Sequence, residues 1–254
     1  MSIFIKYNIK EMGTQGSFGY KIGRKVRLMH VQYDADMLWQ ILVREIYVLI
    51  KHYGTIESLQ KAFENLIEAK NKPKPEAIEK CKIFTDLNKC YNNESDWYCL
   101  TRHCQHSFIN ILESGYFLNN GENLGLVFIL DFNTNSVRFY QIDHEKKTTE
   151  YDKATIDEIM EFEEMPTKTY TEIVSEMNMR FDKYDKNLKE VNLEIEKINN
   201  IIKKAIELGG DHNVISKAKD LLYDMEFEKK KVEINYRFFY HRLEALNLID
   251  YDGK

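Results

Sequence analysis

Apolar side chains recur at a regular spacing over a long segment near the C-terminus. From Tyr170 to Ala205 they follow one another at alternating steps of four and three residues. A mean step of about 3.5 residues keeps one narrow apolar seam on one side of a helix, as in a coiled coil. The seam comprises Tyr170, Val174, Met177, Phe181, Tyr184, Leu188, Val191, Ile195, Ile198, Ile202 and Ala205.

A second segment with this spacing follows Gly209-Gly210-Asp211-His212, a sequence that interrupts the first helix. A four-residue connection can join antiparallel helices, whereas parallel neighbours need a return path as long as the helix. The sequence therefore predicts an antiparallel helical hairpin with Gly209-Gly210 at its tip. The apolar positions predicted for the second arm are Val214, Ala218, Leu221, Met225, Val232, Phe239 and Leu246.

In the second arm, the sequence does not decide which residues occupy the seam after Met225. The same steps place Glu228, Asn235 and Arg242 in the seam, where polar residues fix register or partner at a cost in stability. Aromatic residues crowd both sides of the helix from Tyr236 to Tyr240, which favours a rotation that brings Phe227 into the contact instead.

The hairpin also has apolar residues outside the seam, and these predict a dimer through a four-helix contact, or a protein partner. They are Leu193, Ile201, Ile206, Leu222 and Phe227.

Before the hairpin, strand and helix periodicities alternate. Period-two patterns predict a strand at 3–7, a β-hairpin at 20–31, a second at 124–142 and a strand at 148–151. Helical patterns with caps predict helices over 36–54, 55–69, 75–87 and 95–112. The order indicates an α+β fold, a small antiparallel sheet with helices on one face, in a domain of residues 1–165. Residues 158–166 are predicted to link it to the hairpin domain of residues 166–254.

Composition narrows the class of protein. In 254 residues, 43% hydrophobic and 13% aromatic content indicates a folded chain, and a net charge of −5 argues against a general nucleic-acid binder. Neither a membrane span of about 18 apolar residues nor a signal peptide is evident. We therefore expect a cytoplasmic protein with its four cysteines as reduced thiols. Abundant lysine, isoleucine, asparagine and tyrosine are typical of AT-rich genomes, such as those of large DNA viruses and protists.

A glycine-rich stretch near the N-terminus is the first candidate site. Backbone N–H groups at Gly13, Thr14 and Gly16 could face an anion, with Tyr33 and Asp34 standing opposite. The alternative is a glycine-rich strand start fixed by packing. We favour this alternative because a short glycine cluster without a following helix is a weak phosphate signal.

A cysteine- and histidine-rich segment is the second candidate. On a helix, Cys99 and His103 would share a face and His106 would lie nearby, and Cys90 could complete a tetrahedral structural zinc site. The spacing matches no standard zinc motif, and cysteine often serves as a small buried apolar residue. The same residues could supply a Cys–His nucleophile pair, but no oxyanion hole or orienting group accompanies them. No convincing catalytic motif is present, so enzymatic activity is left open.

The glycine-rich stretch also carries a family resemblance. Met12-Gly13-Thr14-Gln15-Gly16, a strand pair and Tyr33-Asp34 resemble an uncharacterised family of large DNA viruses, protists and fungi that has a Met-Gly-Thr-Arg-Gly start. The segments Arg102 to Gly115 and Val127 to Phe132 are similar to later parts of that family, so the resemblance covers about residues 12–145. It implies a shared fold but no activity, and a host-cytosol location if the chain is viral.

This sequence departs from the family pattern at two places. Gln15 replaces the family arginine, and Ala35-Asp36-Met37 stands where serine, tyrosine and proline are usual. If the family loop binds a ligand, these departures imply that this chain has lost the ability. Two functions are consistent with the sequence. We favour a non-enzymatic interaction or assembly protein that uses its coiled-coil hairpin; the alternative is a small-molecule-binding or hydrolytic domain with a site around residues 13–34 and 99–106.

Overall fold

The computed structural model describes residues 14–85, 96–162, 165–235 and 246. They form two compact units, one that extends to Ile173 and includes Leu246, and one that begins at Val174. The first unit contains a mixed sheet with helices and the second a helical hairpin, which confirms the predicted α+β fold with its C-terminal hairpin. The strand predicted at residues 3–7 lies outside the described residues.

The elements are numbered in chain order. The strands are β1 Gly16–Ile22, β2 Lys25–Val31, β3 Ile67–Glu68, β4 Tyr116–Phe117, β5 Gly125–Asp131, β6 Ser136–Ile142 and β7 Thr148–Thr155. The helices are α1 Leu38–Tyr53, α2 Ile56–Glu64, α3 Pro75–Cys81, α4 Trp97–Leu100, α5 Phe108–Ser114, α6 Ile156–Met160, α7 Tyr170–Glu207 and α8 His212–Asn235.

The main sheet has the strand order β2-β1-β5-β6-β7. The pairs β1–β2, β5–β6 and β6–β7 are antiparallel, which confirms both predicted hairpins and the last strand. β1 and β5, however, run parallel, with Phe18 opposite Phe128. The sheet is therefore mixed rather than purely antiparallel, because the chain passes through the helical segment between these two strands.

An aromatic core joins the sheet to the helices. The Phe18 and Phe108 rings lie 5.2 Å apart between centroids, Phe63 lies 5.3 Å from Phe108, and Trp39 lies 6.0 Å from Phe128. These rings bring α1, α2 and α5 onto one face of the central strands. The predicted caps are present too: Gly54 ends α1 with a φ of 82°, and the Thr55 hydroxyl accepts a hydrogen bond from Ser58 N.

Three predicted segments take a different form. The helix predicted over 55–69 ends at Glu64, and Ile67–Glu68 instead pairs in parallel with Tyr116–Phe117 as a small second sheet. The helix predicted over 95–112 is divided into α4, a 3₁₀ turn at Arg102–Cys104, and α5. The predicted linker of residues 158–166 overlaps α6, which a Thr155–Glu158 capping box begins.

The first turn of α7 belongs to the globular unit. The Thr169 hydroxyl and the Glu172 carboxylate form a capping box at its start. The Tyr170 hydroxyl donates to the Glu113 carboxylate, and the Tyr170 ring stacks on His52 with a centroid distance of 4.1 Å. Burial and the Glu113 carboxylate raise the pKa of Tyr170, so its hydroxyl stays protonated and continues to donate.

In the hairpin unit, α7 and α8 are in contact. The predicted α7 seam is confirmed, since all eleven of its positions are buried or half-buried. At the tip, Gly210 N donates to Ala205 O and Gly209 N donates to Ile206 O, with Gly209 at φ 66°. This pair of bonds is a Schellman motif, which ends α7, and the Asp211 carboxylate then caps α8 through Asn213 N.

The predicted register of α8 is wrong by one residue at two positions. Val214 and Leu221 are exposed, whereas Ile215 and Leu222 turn inward together with Ala218, Met225 and Val232. Lys229 rather than Glu228 falls at a half-buried position, and Phe227 is exposed, contrary to the rotation that we favoured. Residues 236–245, which include the predicted seam position Phe239, lie outside the described residues.

Among the helices that the structure describes, each is too short or too polar to cross a membrane.

Candidate functional site

The glycine-rich loop is tied to the start of the first long helix. The Thr14 hydroxyl donates to the Asp36 carboxylate and accepts from Asp36 N at 3.1 Å. Ala35 N donates to Thr14 O at 3.1 Å. The polar groups of Thr14 therefore hold the turn before α1 in place. Gly13, which completes the predicted site, lies outside the described residues.

Electrostatics beside this loop are unfavourable to an anion. Asp34 follows Tyr33 in a left-handed conformation (φ 56°), and Asp36 lies in the 3₁₀ turn that comes next, Ala35–Met37. Partial burial, and then the neighbouring Asp36 carboxylate, raise the pKa of Asp34. Two carboxylates thus stand where the anion hypothesis needs positive charge.

Gly16 has a packing role at the same place. A Cβ atom added to Gly16 would lie 2.3 Å from Leu126 O and 2.8 Å from the Ala35 Cβ, so no side chain fits between β5 and the turn before α1. This contact is the reason for a glycine at the start of β1.

Replacing Gly16 with valine should therefore lower the melting temperature by many degrees, because the clash displaces either β5 or the turn. The control is Asp34→Asn, which removes the charge but tolerates the left-handed conformation, and it should melt within about 2 °C of the parent. Differential scanning calorimetry of both variants measures this. A stable Gly16→Val protein would contradict the packing role.

The structure joins two candidate regions that are distant in sequence. The Arg102 guanidinium carbon lies 5.7 Å from the Tyr33 ring centroid and 5.4 Å from that of Tyr98. Arg102 also donates to the Tyr98 hydroxyl at 3.1 Å and to the Gln105 side chain. The His106 ring nitrogen Nε2 contacts the Tyr33 carbonyl oxygen. We call Tyr33, Tyr98, Arg102 and Gln105 the arginine cluster.

Sequence reasoning did not identify the arginine cluster. The spacing of Tyr98 and Arg102, four residues apart, was a usable signal, since an aromatic ring and a cation at that spacing often meet on a helical turn. The other aromatic residue of the cluster, Tyr33, lies in a loop 65 residues before Tyr98, and no local sequence pattern predicts its contact with Arg102. Cation–π contacts and hydrogen bonds occupy the guanidinium, so the cluster acts as a brace between the loop after β2 and the α4 segment.

The proposed zinc ligands do not share a helix face. Cys99 lies in α4, His103 in the 3₁₀ turn, and His106 beyond it with a φ of 72°. Within residues 14–85, 96–162 and 165–235, no three His, Cys, Asp or Glu side chains are close enough to hold a metal ion. Cys90 lies outside those ranges, so the four-ligand site stays a prediction.

The described thiols are buried rather than presented to a substrate. Cys81, Cys99 and Cys104 are free and buried, and the Cys104 sulfur contacts Asn110 O at 3.7 Å. Burial raises the pKa of Cys81 to about 11, which keeps that thiol protonated at neutral pH. A nucleophile would need the thiolate instead.

Two grooves lie on opposite faces of the sheet. One, of about 460 Å³, extends from Thr14 and Asp36 across Phe139 to Tyr151. The other, of about 520 Å³, has Leu28, Ile129 and Tyr140 along its walls, and the Lys21–Asp131 ion pair (3.0 Å) beside them. Both volumes fall within the range of small-molecule sites.

The hairpin unit carries most of the exposed large apolar side chains among the described residues. Of the thirteen large apolar side chains exposed among the described residues, nine belong to this unit. Leu193, Ile201 and Ile206 are exposed as predicted, and Phe227 is exposed because the favoured rotation of α8 does not occur. Leu222 is half-buried because it belongs to the inward side of α8. The nine are Met179, Leu193, Ile201, Ile206, Leu208, Val214, Leu221, Tyr223 and Phe227.

No protein-family model, curated protein or solved structure matches this chain.

Proposed function

We propose that the protein is a non-enzymatic interaction or assembly protein, and that its hairpin binds another protein or a second copy of the chain. The observation that carries this proposal is the concentration of exposed large apolar side chains on the hairpin unit. Scattered single apolar residues are normal on a protein surface, but a contiguous group of them marks an interaction site.

The energetics of a two-helix hairpin support the same proposal. Each helix buries one seam against the other and leaves its remaining circumference in water. Leu208 is 85% exposed at the tip. Burying one such side chain contributes about 1.5–3 kcal/mol. Burial of several of them in one interface offsets the loss of translational and rotational freedom on association.

Sedimentation equilibrium of the full chain tests the proposal. The mass should rise above the 30.3 kDa of the monomer as concentration increases. Self-association should disappear when six exposed hairpin residues are replaced with glutamine, since none of them belongs to the seam. These are Leu193, Ile201, Leu208, Val214, Leu221 and Phe227. A monomer at about 1 mM, where an interaction of only −4 kcal/mol is half-populated, would contradict self-association.

A small-molecule site is the second candidate, and the groove of about 460 Å³ beside Thr14 and Asp36 favours it. Its ligand would be neutral or cationic, because the Asp36 carboxylate lines the groove and repels anions. Calorimetric titration with a panel of small molecules should then give a heat of binding that Asp36→Asn reduces.

A further inference from the structure

We propose that one flank of the hairpin tip is a docking surface for a second copy of this chain, packed tip over tip in antiparallel orientation. This inference rests on the proposed function and specifies the surface and the partner. The tip flank consists of Ile201, Leu208, Val214 and Leu221.

The heptad register places these four residues on one side of the hairpin. In α7, Val174 and Met177 begin the alternating inward positions, termed a and d, and in α8 Ile215 and Ala218 do the same. Ile201 and Leu208 then occupy g positions of the first arm. Val214 and Leu221 occupy g positions of the second. In an antiparallel pair of helices the g positions of both lie along the same flank.

The tip flank is apolar and accessible. Its exposed fractions are 58% for Ile201, 85% for Leu208, 57% for Val214 and 51% for Leu221. Counting outward from Asp211 places Leu208 beside Val214, and Ile201 beside Leu221. The flank therefore consists of two apolar layers, each with one residue from each helix.

Small inward residues leave a groove between the two apolar ridges. Ala205 and Ala218 occupy d positions next to the flank, and both are half-buried. Since alanine ends at its Cβ atom, the surface between the ridges is low. A ridge of a second hairpin can pack into such a groove.

The opposite flank lacks these features. Its e positions over the same length carry Asn199 and Lys219, and further from the tip Asn192 and Glu226, all of them exposed. Ile206 is its exposed apolar exception. A partner that buries apolar surface will therefore bind on the g side.

A second copy suits the tip flank because the flank repeats its own pattern. Each helix contributes two aliphatic residues. A twofold axis that lies in the plane of the contact, perpendicular to the hairpin, places each apolar layer of one copy against the other layer of the second copy. A patch that matches itself under a twofold rotation forms an isologous dimer interface. The expected contact is on the order of 400 Å² per copy, about half that of a standard stable interface, so the dimer should be weak and concentration-dependent.

Charge selects the antiparallel orientation. The next g layer toward the base of the hairpin consists of Glu194 and Glu228, and the Glu194 carboxylate binds Lys197 at 2.7 Å. Two hairpins with their tips side by side would bring four glutamates into one layer and remove them from water. When the tips overlap in opposite directions, only the two apolar layers meet. Ile201 then faces Leu208 of the second copy.

Two matched double variants test the surface. Ile201→Asp with Leu221→Asp should raise the dissociation constant at least tenfold in sedimentation equilibrium. Leu193→Asp with Phe227→Asp, at residues exposed to the same degree (52% and 54%) but at f positions, should leave it within threefold. Far-UV circular dichroism checks that both variants keep their helices. Loss of association only in the second variant would overturn the tip flank while preserving a hairpin interaction. A parent that never associates would overturn the second copy as the partner and leave a different protein as the partner of the hairpin.

Charge complementation tests the orientation. I201K and L208E should each weaken the dimer alone, and an equimolar mixture should restore association because position 201 of one copy faces position 208 of the other. The mixture of I201K with L221E should not recover. Recovery in that second mixture only would show that the tips lie side by side, which contradicts the antiparallel arrangement.

Discussion

Aspartate at both Ile198 and Ile202 should unfold the helical hairpin and leave the globular unit folded. These side chains are 7% and 9% exposed, and they occupy consecutive inward positions of α7. Each substitution removes a buried aliphatic group and places an unpaired carboxylate in the seam. An uncompensated buried charge costs about 3–5 kcal/mol, which two helices that share one seam cannot offset.

Two spectroscopic signals separate the units. Both tryptophans, Trp39 and Trp97, belong to the globular unit, so their fluorescence reports its unfolding alone. The variant should lose the far-UV ellipticity of most of α7 and α8 while the fluorescence midpoint in urea stays within about 0.3 M of the parent.

The matched control is Leu193→Asp with Ile201→Asp, which adds the same charges to the same helix at exposed positions. It should keep full ellipticity in dilute protein, since neither residue belongs to the seam. Equal loss of ellipticity in both variants would show that net charge, rather than burial in the seam, destabilises the hairpin.

Local periodicity accounts for the parts of the fold that the sequence predicts well. The α7 seam spans eleven positions with one spacing, so a single chance apolar residue cannot shift its phase. The hairpins β1–β2 and β5–β6 join neighbouring segments through turns, and their pairing requires no knowledge of the rest of the chain. Gly54 and Thr55 mark a helix end and a helix start by their own chemistry.

Pairings between distant segments account for what the sequence does not predict. The parallel contact of β1 with β5 and the short β3–β4 ladder join residues far apart in the chain, and the second of these overrides a helical pattern at Ile67. In α8, Val214 and Ile215 are both apolar, so the pattern fits either phase. The tip geometry decides between them, since Asp211 fixes where α8 begins.

In the candidate site too, local features were predictable from the sequence and contacts between distant segments were not. Thr14 precedes β1 and Gly16 begins it, and both contact the turn before α1 at Ala35 and Asp36, close to the predicted helix start. The division of the predicted 95–112 helix did have a local signal, because Ser107 is a good N-cap residue and its hydroxyl accepts from Asn110 N. The participation of Glu45 in that cap comes from another helix and is invisible in the sequence.

Glu45 is a charged residue fully enclosed by the core, and the structure explains its presence there. It lies in α1, where nearly every neighbour is apolar, and its exposed fraction is 0%. Its Oε1 accepts from the Ser107 hydroxyl at 2.6 Å, and its Oε2 accepts from Phe108 N at 2.6 Å and from Ile109 N at 3.4 Å. The carboxylate therefore satisfies the first N–H groups of α5 and joins α5 to α1.

Replacing Glu45 with alanine should destabilise the globular unit by about 3–5 kcal/mol, because it leaves buried donors without an acceptor and opens a cavity. Glu45→Gln keeps the volume and one acceptor oxygen, and it should cost about 1–2 kcal/mol. The control is Glu64→Ala in α2, an exposed carboxylate that accepts from the Gln60 amide at 2.7 Å and should change stability by less than about 0.5 kcal/mol. Urea unfolding followed by tryptophan fluorescence measures all three. Equal stability of the Glu45→Ala and Glu64→Ala proteins would contradict the role of Glu45, since the loss at position 45 depends on burial of its hydrogen-bond partners and not on the loss of a negative charge.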